Sequence, residues 1–291
     1  SKAAKVLYEH VEAVDACLLT DKDYTRVVKE DAWKFDLFFD FRPHVAIVYK
    51  GDWYKQRMRL ARKIDRKIAR RYRHYNSWET NKLQDEGKTV VELALESADL
   101  RETSYDEVRL KRELPPNPYA DEEYITISIS AAGSRWGKEQ TKCWEHDRWQ
   151  AVVDWLVDRG YKVVQLGLRG ERKLRRCEHV WSKPVEVAMS VLRDSFLHLG
   201  IENGPVRVRR LLTKKPSIVL FGPTHPVMYG LEGNINIWKG VCRPCFWYTG
   251  DWMWRCAMGW DRICMRVITV EDVLRKIEEV LKRDEVVDSV R

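Results

Sequence analysis

The sequence predicts an α/β protein of two layered units, and three observations carry that expectation. From Tyr124 onward, short apolar runs alternate with amphipathic helical stretches at the spacing of β–α–β crossovers. Pro115-Pro116-Asn117-Pro118 interrupts any regular element, so residues 112–122 read as a linker between a unit over 1–111 and another over 123–291. At 291 residues the chain is long enough for two domains of roughly 150 residues each.

The elements follow in order. Lys5 to Ala16 has helical apolar spacing, and Ala16 to Thr20 could form a short strand. Phe35 to Arg42 is a nearly continuous apolar run closed by Pro43, which predicts a buried strand. Gln56 to Tyr75 and residues 79–98 are helix-like. In the second unit Tyr124–Ser130 reads as a strand, and His146–Arg159 as a helix ended by Gly160. Lys162–Gly167 is the next strand, Pro184–Asp194 a helix, Phe196–Ile201 a strand. Pro205–Leu212 is a helix with proline in its first turn, Pro216–Pro223 a strand entering a turn, and Val270 opens a last helix. Strands and helices in this alternation predict a parallel sheet with right-handed crossovers.

Composition narrows the function. With 44% apolar and 33% charged residues the chain is globular rather than disordered. No stretch of about 18 apolar residues is present, which excludes an obvious membrane span. No basic-then-apolar leader follows Ser1, and a cytoplasmic location is expected. Lys and Arg outnumber Asp and Glu by 52 to 44, an excess that suits an anionic partner.

In a parallel sheet a ligand sits beyond the carboxyl ends of the strands. Three segments occupy that position: Ala132-Gly133-Ser134 through Lys142-Cys143-Trp144, Gly167 to Glu171, and Gly200-Ile201-Glu202-Asn203-Gly204. Small residues there let backbone N–H groups approach a phosphate, and a following helix N-terminus favours negative charge by about 0.3–1 kcal/mol. Taken singly, each is equally an ordinary turn.

Together with Leu220-Phe221-Gly222-Pro223-Thr224-His225-Pro226, these segments follow the order and spacing of the glycosyltransferase family 9 heptosyltransferases, which the chain resembles over about 124–282. The resemblance implies a GT-B architecture, two Rossmann-like domains facing a cleft, with residues 1–111 on the acceptor side and 123–291 binding the nucleotide-sugar. It implies transfer of a heptose or related sugar from a nucleotide-diphospho-sugar, ADP-sugar favoured, to a hydroxyl on an acidic or phosphorylated saccharide or protein. By the same resemblance Ser134 and Lys142 would contact the diphosphate, and Glu171 would hold the nucleoside. Glu202, Asn203 and Gly204 stand where the family usually has Asp-Ser/Thr-Gly, and Arg207 where it usually has a histidine. An arginine still suits phosphate through its planar fork. Family members open with a strand and a glycine-rich loop ending in Gly-Asp, whose Asp is the base expected to deprotonate the acceptor. No residue here matches it, so no catalytic base is named. The sequence reads as a fragment of a longer chain, the other reading being a protein that has lost turnover.

Cys242-x2-Cys245-x10-Cys256-x7-Cys264 is the strongest signal independent of the resemblance. Four thiolates satisfy tetrahedral zinc or a rubredoxin-like iron, and such a finger over 242–264 would be structural because no coordination position stays open. Two disulfides or free thiols are the alternatives. The bacterial autotransporter heptosyltransferases, a branch of the same family, look similar here and imply iron. Cys17, Cys143 and Cys177 show no nucleophile context.

Between Lys55 and Arg73 ten cations crowd one helical stretch. It reads as a solvated face or as an anion-binding wall of the acceptor cleft; nucleic acid is not expected, since no recognised motif accompanies the charge. His225 stands at a cleft-facing position of the family pattern, but inside the Pro-Thr-His-Pro turn it reads first as a turn residue. A homo-oligomer is compatible with the sequence. The rival function is a non-catalytic binding protein on the same scaffold, using its basic face for an anionic polymer or protein.

Overall fold

The computed structural model describes residues 37–42, 44–49, 110, 113–131, 134, 139–181, 184–242, 244–245 and 251–288. The helices expected at 5–16, 56–75 and 79–98, and the strand at 16–20, lie outside the described residues.

Strand β1 (Leu37–Arg42) pairs antiparallel with β2 (His44–Tyr49), in a register that sets Leu37 opposite Tyr49 and Phe39 opposite Ile47. The run ending at Arg42 is therefore one arm of a hairpin. The partner strand His44–Tyr49, with its own alternation of Val45, Ile47 and Tyr49, was not read from the sequence.

The second unit is a six-stranded parallel sheet. In chain order it contains β3 (Tyr124–Ser128), α1 (His146–Asp158), β4 (Lys162–Gly167), β5 (Glu178–Trp181), α2 (Val185–Asp194), β6 (Leu197–Ile201) and α3 (Gly204–Leu212). Then follow β7 (Ser217–Leu220), the short α4 (Pro226–Tyr229), β8 (Ile235–Ile237), α5 (Ile263–Arg266) and α6 (Val270–Asp288). The strands lie in the order β5-β4-β3-β6-β7-β8. The chain thus builds outward from β3 to one edge, then returns to β6 beside β3 and builds to the other. This reversal makes the carboxyl ends of β3 and β6 the topological switch point, at whose crevice open α/β sheets take ligands.

Alternation along the central strands sends side chains to two faces. Ile125 and Ile127 of β3, Leu197, Leu199 and Ile201 of β6 join Trp149, Val152, Val153 and Leu156 of α1 and Val273, Ile277 and Val280 of α6 in one apolar core. The 3-1-3 spacing of the α1 residues is what makes one helical face apolar. Tyr124, Val164 and Leu166 pack instead against Ala188, Val191 and Leu192 of α2. This second face is not wholly apolar: Thr126, Ser128 and His198 are buried there with Ser195 and Arg209.

Element ends follow local chemistry. Gly160 terminates α1 at φ 85°, a conformation that costs a glycine little. Pro184 is the N-cap residue of α2, and Asn203 caps α3 by accepting from the Val206 N–H at 3.4 Å. Within the parallel sheet two strands were not anticipated, β5 and β8, each at a sheet edge and only four and three residues long. The connection from β4 to β5 contains no helix; two buried amides hold it instead. Gln165 accepts from the Leu174 N–H at 2.8 Å and donates to the Arg172 carbonyl at 2.8 Å. Gln150 does the same for Arg175, accepting at 2.8 Å and donating at 3.2 Å.

Candidate functional site

The loop after β3 is fixed from two sides. Trp144 is 1% exposed, meets Trp149 edge-on at 4.8 Å and donates its indole N–H to the Ile268 carbonyl at 2.9 Å. On the other side Thr141 donates its hydroxyl to the Trp252 carbonyl at 2.9 Å, and its N–H to that of Met253 at 2.8 Å. A turn closed by the Cys143 N–H on the Gln140 carbonyl at 2.9 Å leaves Lys142 between these anchors. Trp144 of the Lys-Cys-Trp triplet is thus an anchor, and Lys142 is what it positions.

Lys142 Nζ lies 3.0 Å from Glu202 Oε2, and Arg207 Nη2 lies 3.1 Å from Glu202 Oε1. Two loops separated by sixty positions in sequence and one helix therefore meet at the switch point between β3 and β6. Thr224, buried after β7, completes the carboxylate's surroundings with its hydroxyl 3.5 Å from Oε2. Burial pushes the Glu202 pKa up, but the charges of Lys142 and Arg207 outweigh it and hold the carboxyl below its ordinary value. Arg207 also lies over the Tyr229 ring, 5.8 Å from its centroid.

Asn203 is buried and N-caps α3; its side-chain amide donates to Ser128 Oγ at 3.1 Å and to the Ser130 carbonyl at 3.2 Å. Gly204 begins the helix, and a Cβ there would meet nothing within 4 Å. Open space thus faces the first turn of α3 beside the two cations. Ser134 is buried, and its hydroxyl accepts from the Gln140 N–H at 3.1 Å. It orders the Lys142 loop, and its hydroxyl also lies 3.5 Å from Cys143 Sγ. Glu171 is half-buried across the same loop, lining a pocket with Ser130, Ser134, Cys143 and Arg172. Burial raises its pKa, opposed by hydrogen bonds from the Leu168 backbone and Ser130. A second cleft of about 480 Å³ shares Glu139 and Arg172 with that pocket and continues past Thr141, Trp254 and Arg262.

The six charged and polar positions expected to meet a donor fall on one side of the sheet, at two neighbouring strand ends and the loop after β4. The structure brings Lys142, Glu202 and Arg207 into direct contact, while Asn203 and Gly204 sit at the adjoining helix start. Thr224, Ser128 and Ser130 also build this corner and were not singled out; the first sits inside the Phe-Gly-Pro-Thr turn, but the two serines carry no motif. His225 is the N-cap of α4, accepting from the Val227 N–H at 3.1 Å, and packs edge-on against Trp238 at 4.4 Å. It acts as a turn residue here.

Cys242, Cys245, Cys256 and Cys264 all carry free thiols. Burial raises Cys264 to about 12 and lifts Cys242 and Cys245, and the like charges of the neighbouring cysteines add to the effect in each. The four thiols therefore lie in one another's field, and four sulfur donors suit zinc or iron. Among the described residues, however, no three such groups stand in metal-binding arrangement.

No protein-family profile matches the chain. Over 194 residues it is 26% identical to lipopolysaccharide heptosyltransferase 3 of Escherichia coli K12, a match covering 60% of this chain and 51% of that protein. The chain spans about half the length of this curated relative. Among solved structures, E. coli ADP-heptose lipopolysaccharide heptosyltransferase II is 17% identical, covering 56% of this chain and 47% of that one, with a TM-score of 0.43. The iron-containing dodecameric glycosyltransferase TibC of enterotoxigenic E. coli is 19% identical over 60% of this chain and 49% of its own, with a TM-score of 0.47. A glycosyl transferase family 9 protein of Veillonella parvula is 17% identical over 67% and 61%, with a TM-score of 0.46. Among the described residues no helix is long and apolar enough to cross a membrane.

Proposed function

We propose that the chain binds the diphosphate of a nucleotide-sugar, ADP-sugar by preference, at the crevice between β3 and β6 and serves transfer of a heptose or related sugar to an acceptor hydroxyl. The observation that carries this reading is the meeting of Lys142 and Arg207 on one buried carboxylate beside the open first turn of α3. Phosphate oxygens need several N–H donors and positive charge at one point, and a helix start flanked by a lysine and an arginine supplies both. During transfer the same cations would stabilise the charge developing on the departing diphosphate. Glu171 would receive the nucleoside hydroxyls, and a GT-B partner domain would bring the acceptor, acidic or phosphorylated, across the cleft.

The four cysteines would hold one zinc or iron as a structural finger, the metal fixing the segment that anchors Thr141 and so the Lys142 loop. A cytoplasmic site of action suits thiols that stay reduced, and self-association through the finger region is part of this reading.

Titration calorimetry with ADP, UDP and GDP tests the proposal. ADP should bind, and Lys142→Ala should weaken it by about tenfold or more, since a charge-assisted hydrogen bond contributes roughly 1.5–3 kcal/mol. Absence of binding by all three nucleotides, or an unchanged affinity in Lys142→Ala, would overturn it.

A further inference from the structure

Beneath the crevice a chain of buried polar side chains crosses the face of the sheet that carries α2 and α3. Asn203 Nδ2 donates to Ser128 Oγ at 3.1 Å. Ser128 Oγ lies 3.0 Å from His198 Nε2, and His198 Nδ1 lies 2.9 Å from Thr126 Oγ1. Thr126 Oγ1 lies 3.0 Å from Ser195 Oγ, which is 3.1 Å from the Leu192 carbonyl near the end of α2 and is also bonded by the Arg209 guanidinium. Thr126, Ser195, His198 and Arg209 are each 0% exposed.

Such a row of polar groups inside a sheet is costly unless every donor finds an acceptor. One direction of donation satisfies the run from Asn203 to the Leu192 carbonyl, leaving the Arg209 Nε as the one unmatched donor of the row. The Asn203 amide donates to Ser128, whose hydroxyl then donates to an unprotonated His198 Nε2. The opposite nitrogen, Nδ1–H, donates to Thr126, Thr126 to Ser195, and Ser195 to the Leu192 carbonyl. The reverse direction would make Ser128 donate to Asn203 Oδ1 across 3.5 Å, at the limit of a hydrogen bond, in place of the 3.0 Å contact with His198 Nε2. The shorter bonds select the first arrangement.

We infer that His198, held neutral with its proton on Nδ1, is a positioning residue for nucleotide binding: through Ser128 it fixes the Asn203 side chain that caps α3 and thereby shapes the helix start facing the diphosphate. This rests on the proposed donor site. Gly200 protects the same link, since a Cβ there would stand 2.8 Å from Ser128 Oγ and 3.2 Å from His198 Nε2. No other residue type leaves room for that hydrogen bond at the end of β6.

The full chain, labelled with ¹⁵N, tests the tautomer without any ligand. Two-bond nitrogen–proton spectra should show His198 as the Nδ1–H form across neutral pH; an Nε2–H form or an imidazolium would overturn the inference. ADP calorimetry tests the coupling. His198→Leu and Ser128→Ala should each weaken ADP by about fivefold, the worth of one ordered hydrogen bond. His198→Leu combined with Asn203→Ala should be no weaker than Asn203→Ala alone, and His198→Gln, which keeps an acceptor and a donor, should recover most of the loss. Independent, multiplying losses would mean that His198 only stabilises the sheet, and the inference falls. If His198→Leu fails to fold, Ser128→Ala and the spectrum still decide. Wild-type protein that shows no ADP binding would sink the donor site, while the tautomer result stands apart from it.

Discussion

Replacing Glu202 with glutamine removes the one negative charge that Lys142 and Arg207 share, while keeping side-chain shape. A phosphate oxygen on the far side of Lys142 Nζ, itself 3.0 Å from Glu202 Oε2, would lie roughly 6 Å from that carboxylate. Repulsion between the two charges is about 3 kcal/mol at an effective dielectric of 20 and about 0.7 kcal/mol in water. The Lys142 and Arg207 side chains are 18% and 37% exposed, so solvent screening favours the lower part of this range. Taking about 1 kcal/mol, Glu202→Gln should bind ADP roughly fivefold more tightly than wild type, with the gain shrinking as salt rises. ADP is the right probe because it lacks the sugar, so any contact of Glu202 with a sugar hydroxyl does not enter. The same variant should be less stable. Glu202 has a lower pKa folded than unfolded, so it contributes stability above about pH 4.5 that is lost as pH falls through the folded value. Glu202→Gln should lower Tm at pH 7 and lose that part of the acid dependence. An affinity for ADP that is unchanged or weaker in Glu202→Gln, with wild type binding normally, would refute the placement of the diphosphate against these cations.

Other outcomes follow from the same structure. Emission spectrometry of purified protein should return about one equivalent of zinc or iron, and Cys264→Ser, which removes one of the four proposed sulfur ligands, should lose it and lower Tm; metal retained at full occupancy would contradict the proposed finger. Burial, with the positive charge of Arg209, holds the His198 pKa well below 6.5, so the unfolded chain takes up a proton there that the folded one does not. Stability from this group is present above about pH 6.5 and declines as pH falls below it, which chemical denaturation between pH 7.5 and 5 would follow; His198→Gln should flatten that decline. Tyr124→Phe deletes a buried hydroxyl that donates to the Val191 carbonyl at 2.7 Å and accepts from Asn117 at 2.9 Å, at the opposite end of β3 from the crevice. It should cost about 1–2 kcal/mol in thermal or denaturant unfolding and leave ADP affinity unchanged.

Much of the second unit was legible because its signals are local. The 3-1-3 apolar spacing of Trp149 to Leu156, Gly160 at the end of α1, and the proline at the start of α3 fix type and extent within a residue or two. β5 and β8 were missed because edge strands of three or four residues carry no period of their own; pairing with β4 and β7 creates them. Candidate site positions were legible by kind but not by partner. Lys142 was expected to face a phosphate, yet nothing in the spacing says that Glu202 would hold it. Nor does the spacing show that the Ser134 oxygen accepts from the Gln140 N–H in the folded turn. His198 was legible only as an isolated histidine, because its partners come from β3, sixty or more positions away.

The glutamate at 202, where family 9 proteins usually carry aspartate, bears on how the site works when empty. Two cations and one carboxylate leave a single positive charge beside the start of α3. Without any acceptor at 202, Lys142 and Arg207 would repel each other and relax toward solvent; a glutamine keeps an amide oxygen for one of them and with it most of their order. With the carboxylate, both side chains wait in place, and in the proposed site an arriving diphosphate would exchange one anion for another. The longer glutamate side chain lets one carboxylate reach Lys142 and Arg207 with separate oxygens, 3.0 and 3.1 Å away. The arrangement gives up some affinity for a bare diphosphate in return for order. That is why removal of the charge should tighten ADP and loosen the fold in the same variant.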